Sequence, residues 1–189
     1  IVQNYLSAKY DYALTNNDLY VQDDAANGNY DYDVAGIGRV DPGNQHTDAK
    51  GNGIVRILNA TNLDDNEFFI WGHDNGQQAA INNTDVPAGI AARFDRVWRV
   101  SEVNNAGSGV NVGSIDMQWD LNNLGPVTAS DLRLLVDTDN DGSFADETPI
   151  AGATSIGGGI YAFTGVSAIG NNMRFTIATT NLIQTPLPI

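Results

Sequence analysis

The sequence predicts an all-β protein: a two-sheet antiparallel β-sandwich, jelly-roll or immunoglobulin-like, with one short N-terminal helix. Three observations carry this. The chain of 189 residues holds 20 Asp, 22 Asn and 20 Gly beside only 3 Glu and 2 Lys, a composition that favours tight connections over helices. Between residues 114 and 121, Ile115, Met117, Trp119 and Leu121 alternate with Asp116, Gln118 and Asp120, the period of a half-buried antiparallel strand. Apolar and β-branched runs recur between Gly, Asn and Asp clusters without a fixed repeat, which points to a sandwich and away from a propeller or solenoid. Apolar residues make up 42% of the chain, enough for a substantial core.

The elements follow in order. Over 2–10, Val2, Tyr5, Leu6 and Tyr10 are spaced to share one helical face. This helix has no capping residue before it, so we read residues 1–12 as the end of something longer lying upstream or as a linker. The sandwich is expected over 13–181, with strands at 33–39, 53–58, 67–72, 93–103, 114–121, 131–137, 160–166 and 173–179. The intervals 41–52 and 75–89 are long for hairpin loops and are expected to cross between sheets or shape the sandwich ends. Trp98 and Trp119 read as core. Arg93, Arg96 and Arg99, interleaved with Asp95 and Glu102, are expected to form cross-strand ion pairs. At 182–189, prolines at 186 and 188 favour an extended linker or an exchanged strand.

Charge and composition exclude several functions. Nine Lys and Arg against 23 Asp and Glu give a net charge of −14, which repels nucleic acid and anionic lipid. No apolar stretch is long enough for membrane insertion as a helix. With no Cys, thiol catalysis, zinc–thiolate sites, iron–sulfur clusters and disulfides are ruled out. Gly165-Val166-Ser167-Ala168-Ile169 lacks the second glycine of a nucleophile elbow. Gly36-Ile37-Gly38 and Gly157-Gly158-Gly159 are too short for phosphate loops and read as bulges or turns. Carboxylate pairs of the glycosidase kind are neither supported nor excluded by so many acids. The reading is therefore non-enzymatic.

The sharpest motif is Asp137-Thr138-Asp139-Asn140-Asp141-Gly142-Ser143-Phe144, directly after an apolar strand. Carboxylates at alternate positions followed by glycine let the chain curl around a hard cation, and calcium is the natural occupant. Asp137, Asp139 and Asp141 are the expected ligands, completed by the Ser143 carbonyl and a carboxylate from Asp146 or Glu147. The twelfth position, a bidentate Glu in helical calcium loops, is Thr148 here, and a strand precedes the motif. It thus matches only the first half of that loop. The competing reading is a metal-free acidic turn, against which stands the mutual repulsion of three adjacent carboxylates.

Other candidates are weaker. Asp18, Asp23, Asp24, Asp31 and Asp33 are irregularly spaced and read as a solvated loop. His46 and His73 stand apart from any nucleophile. Trp71 and His73, close to a loop, are the residues a glycan would use, although a core position for Trp71 competes.

Several of these segments together resemble a family. Asn4 to Tyr10 is similar to the closing helix of laminin-G-like, concanavalin A-like lectin domains in large secreted proteins of Bacteroidota. Asp33 to Arg39, Phe69 to Asp74, Arg96 to Val100 and Leu134 to Asp139 look like successive signatures of the uncharacterised β-domain that follows that lectin. Thr185 to Ile189 resembles the lead-in to the terminal region of type IX secretion substrates. The resemblance implies a non-catalytic structural or adhesive module of a secreted, adhesin-like cell-surface protein. Its partners would be neighbouring domains, copies of itself as in a filament, or surface glycans.

Overall fold

A computed structural model describes residues 1–10, 12 and 14–182. Helix α1 (Val2–Tyr10) is followed by β1 (Tyr32–Asp41), β2 (Asn44–His46), β3 (Asp48–Ala49), β4 (Val55–Leu58) and β5 (Glu67–His73). Then come β6 (Ala80–Asn82), β7 (Ala92–Phe94), β8 (Trp98–Asn104) and β9 (Ile115–Asp120). The chain continues through β10 (Leu132–Asp137), β11 (Thr154–Gly157), β12 (Ile160–Val166) and β13 (Arg174–Thr179). The larger antiparallel sheet is ordered β2-β1-β5-β8-β13-β7-β6, with β10 also paired to β13; the smaller is β11-β12-β9-β4-β3. The all-β sandwich read from the sequence is the observed architecture. No helix among the described residues is long and apolar enough to cross a membrane.

The alternating stretch behaves as its period dictates. Ile115, Met117 and Trp119 are buried on β9, while Asp116, Gln118 and Asp120 are half-buried on its other face. The long 41–52 interval does change sheets, because β2 pairs with β1 in one and β3 with β4 in the other. The interval 75–89 instead stays with the larger sheet through β6. The single strand expected over 93–103 is broken. Asp95 and Arg96 donate their N–H groups to Ala79 and Gln77 carbonyls, and the Val97 N–H goes to the Asp74 carboxylate. The two pieces then pair separately with β13, as Arg93↔Ala178 and Trp98↔Phe175. The arginines differ from expectation too: Arg93 pairs with Asp85 and Arg99 donates to the carbonyls of Asn27 and Asn172.

Between the sheets, Trp119 of the smaller sheet meets Trp98 edge-on at 5.1 Å and 87°, and Phe175 lies parallel to Trp98 at 5.9 Å. The outer face of the larger sheet is covered as well, by Leu19, Tyr20, Tyr30 and Ala8 over Phe68 and Ile70. Helix α1 packs on β1 with the face opposite to the expected one: Asn4, Ser7 and Ala8 are buried, whereas Val2, Leu6 and Tyr10 are exposed. Asn4 decides this. Its Oδ1 accepts the buried N–H groups of Leu19 and Tyr20 at 2.7 and 2.8 Å, and its Nδ2 donates to the Asn17 carbonyl. Leaving two buried amides unpaired costs more than exposing a few apolar side chains. The extended segment expected at 182–189 falls, from 183 onward, outside the described residues.

On β5, Gly72 lies where the Tyr20 hydroxyl donates to the Tyr30 carbonyl at 2.8 Å. A Cβ there would collide with both of those atoms and come within 2.8 Å of Val34 Cγ2. Gly72→Ala is expected to lower stability by about 2 kcal/mol or more, measured by urea unfolding; an unchanged midpoint contradicts this packing.

Candidate functional site

Strand β10 ends at Asp137, which sits opposite Arg174, the first residue of β13. The Asp137 side chain is fully buried, and its Oδ2 lies 2.6 Å from Arg174 Nη2. The chain then curls through Asn140 and Gly142, with φ of 60° and 100°, conformations that Asn and Gly adopt at least cost. This brings the N–H groups of Asp141 and Gly142 to the Asp137 carboxylate, each at 3.2 Å. One oxygen each of Asp137, Asp139 and Asp141 then lies within 4.8 Å of the others, with Asp137 buried and the other two exposed. An all-oxygen donor set of this size suits a hard divalent cation, which takes further carbonyl or water ligands. Burial pushes the Asp137 carboxyl above its ordinary range, against the pull of Arg174 and of the Gly142 and Asn140 amides.

The remaining expected ligands, Ser143, Asp146 and Glu147, lie on the same turn. Glu147 accepts the Thr138 N–H and hydroxyl, closing the base of the turn. Ser143 Oγ donates to Asp85 Oδ1 at 3.0 Å, and the Ser143 N–H donates to Asp141 Oδ1 at 2.7 Å. Asp146 is exposed. Asp85, Arg93 and Arg174 are the residues that sequence reasoning missed. Asp85 takes the Phe144 N–H at 2.7 Å and pairs with Arg93 at 2.8 Å, while the Arg93 guanidinium lies over the Phe144 ring at 5.0 Å. Burial acts to raise the Asp85 carboxyl, yet the Phe144 amide, Arg93 and Ser143 outweigh it and hold it below its ordinary value. The turn is thus docked onto the β6–β7 connection through residues far away in sequence.

Trp71 and His73 are inside, because both faces of β5 are covered; they are 1% and 2% exposed. A glycan cannot stack on Trp71 here, which corrects that expectation. His73 Nδ1 accepts the Asn75 N–H at 3.0 Å, so Nε2 carries the proton and donates to Asp33 Oδ2 at 3.0 Å. Burial lowers the His73 pKa, opposed by the Asp33 hydrogen bond. Its ring stacks under Tyr32 at 5.8 Å and meets Trp98 edge-on at 5.7 Å.

The second acidic stretch is less solvated than its spacing implies. Asp18, Asp23, Asp24 and Asp31 line a hollow of about 300 Å³ beside Ser7 and Ala8 of α1. Burial, reinforced by Asp18, pushes the Asp23 carboxyl up to about 7.

The chain belongs to the family described as Domain of unknown function (DUF8202), which it matches over residues 1–173. No curated protein and no solved structure matches it.

Because Asp23 holds its proton more tightly folded than unfolded, its effect on stability is most favourable below the ordinary value of 3.8 and is lost as pH rises toward 7. Asp23→Asn is therefore expected to stabilise the protein at pH 8 by about 2 kcal/mol, after discounting for partial exposure, and to have little effect at pH 4. Urea unfolding of both proteins at the two pH values checks this; equal effects at both contradict the burial of that carboxyl.

Proposed function

We propose that this chain is a non-catalytic structural module of an extracellular surface protein, fastened by calcium at Asp137, Asp139 and Asp141. The observation that carries the reading is the convergence of those three carboxylates within 4.8 Å at the end of β10. Calcium there ties an irregular turn to the sheet and removes the repulsion among neighbouring acids. Arg174 already neutralises part of that charge at Asp137, so the cation's largest contribution is at Asp139 and Asp141. A hard cation held by carboxylates adds rigidity without a reaction. Two of the side chains that proton chemistry would draw on are committed to packing: both His73 nitrogens are bonded, and buried Glu102 accepts the Val112 N–H at 2.7 Å.

Location and partners are proposed from the sequence. The Cys-free, Asp-rich, Lys-poor composition and the resemblance to a module of secreted surface proteins support a place outside the cell. Neighbouring domains or further copies are the partners that reading entails.

At calcium a hundredfold above its dissociation constant, a single site adds about 2.7 kcal/mol, equivalent to roughly 5–10 °C in Tm for a chain of this size. Thermal unfolding in calcium and in chelator should show that difference, and Asp139→Asn with Asp141→Asn should abolish it without preventing folding. A melting temperature indifferent to calcium overturns the reading.

A further inference from the structure

Two hollows of about 370 and 350 Å³ open to solvent between α1 and the start of β1, and they share Tyr5 and Asn52 as a common wall. Each falls in the size range of small-molecule sites. Their walls carry fixed aromatic rings. Tyr32 is 47% exposed, yet its ring is seated on buried His73 with an interplanar angle of 16°. Tyr5 is held by Lys9, whose ammonium donates to the Tyr5 hydroxyl at 3.1 Å.

Beside these rings the backbone departs from regular strand geometry. The β1–β5 register slips between Tyr32 and Ala35, and Asp33 within that break has φ of 50°. Such a bulge re-aims side chains, and positive φ at Asp needs local support. His73 supplies it through the Asp33 carboxylate, and Gly53 leaves the space: a Cβ there would come within 3.1 Å of Asp33 Cβ. The result is a carboxylate and a ring held side by side at the mouth of the groove.

Charge narrows the ligand. In a chain of net charge −14 with only two lysines, both Lys9 and Lys50 line these hollows. Asp31, Asp33 and Asp48 line them too, and Lys50 is already paired with Asp120 at 2.8 Å; walls of mixed sign, with their cations partly matched, favour a neutral ligand over a strongly charged one. Asp33 can only accept hydrogen bonds, Lys9 can only donate, and Asn52 does both. Hydroxyl groups answer all three, and the C–H faces of a pyranose pack on tyrosine rings.

We propose that the groove under α1 binds a neutral oligosaccharide, with Tyr5 and Tyr32 against sugar faces and Asp33, Asn52 and Lys9 on the hydroxyls. The proposal is independent of calcium at the 137–147 turn. Screening the full chain against arrayed neutral glucans, mannans, galactans, xylans and chito-oligosaccharides, followed by calorimetric titration of the best binder, tests it. Tyr32→Ala should weaken that binding roughly tenfold or more, and Asn52→Ala should weaken it while the unfolding midpoint stays put. Tyr12→Ala, which removes an exposed tyrosine outside both hollows, should leave binding unchanged. No binder in the panel, full affinity in Tyr32→Ala and Asn52→Ala, or an equal loss in Tyr12→Ala overturns the assignment.

Discussion

The contact of Trp98 and Phe175 with Trp119 across the sandwich is the constraint on which the rest of the structure rests. It joins the two sheets through large, fully buried rings at 5.1 to 6.0 Å, and such rings dominate core energetics both by buried area and by their edge-to-face geometry. Each ring of the larger sheet also positions one of the candidate sites. Trp98 meets His73 edge-on, and His73 supports Tyr32 and Asp33. Phe175 follows Arg174, whose position opposite Asp137 is set by the same strand register. One packed core therefore orients the groove under α1 and the acidic turn alike.

The acidic turn is a problem in charge before it is a site. Three carboxylates are drawn into one short curl, and the protein relieves only part of their repulsion with Arg174 and backbone amides. Asp85, Arg93 and the Thr138–Glu147 bonds hold the frame around them. A frame fixed from outside, with carboxylates inside whose charge is only partly met, is the arrangement in which a divalent cation adds most, because part of the ordering cost of its ligands has already been met.

What the sequence disclosed and what it hid divide by range. Seven of the eight expected strands are present as single strands and the eighth, 93–103, as two pieces, because alternation and turn residues are local signals. The break at 95–97 was hidden because the apolar alternation continues through it; its cause is hydrogen bonding to the 74–79 segment. The α1 face was reversed because a single Asn satisfies two amides far along the chain, which no hydrophobic pattern records. Asp137, Asp139 and Asp141 were legible as a local motif, whereas Asp85 reaches the turn from 58 residues away and carries no signal of its own. Arg174 was less legible: pairing 131–137 end to end with 173–179 places Met173 opposite Asp137, one residue off the observed Asp137↔Arg174 register.

Whether a cation occupies the curl after β10 decides the matter. Anomalous scattering from a crystal grown in calcium answers this. A strong peak bounded by the carboxylates of Asp137, Asp139 and Asp141 is expected; a turn closed on Arg174 alone, with no peak among those oxygens, refutes the calcium site.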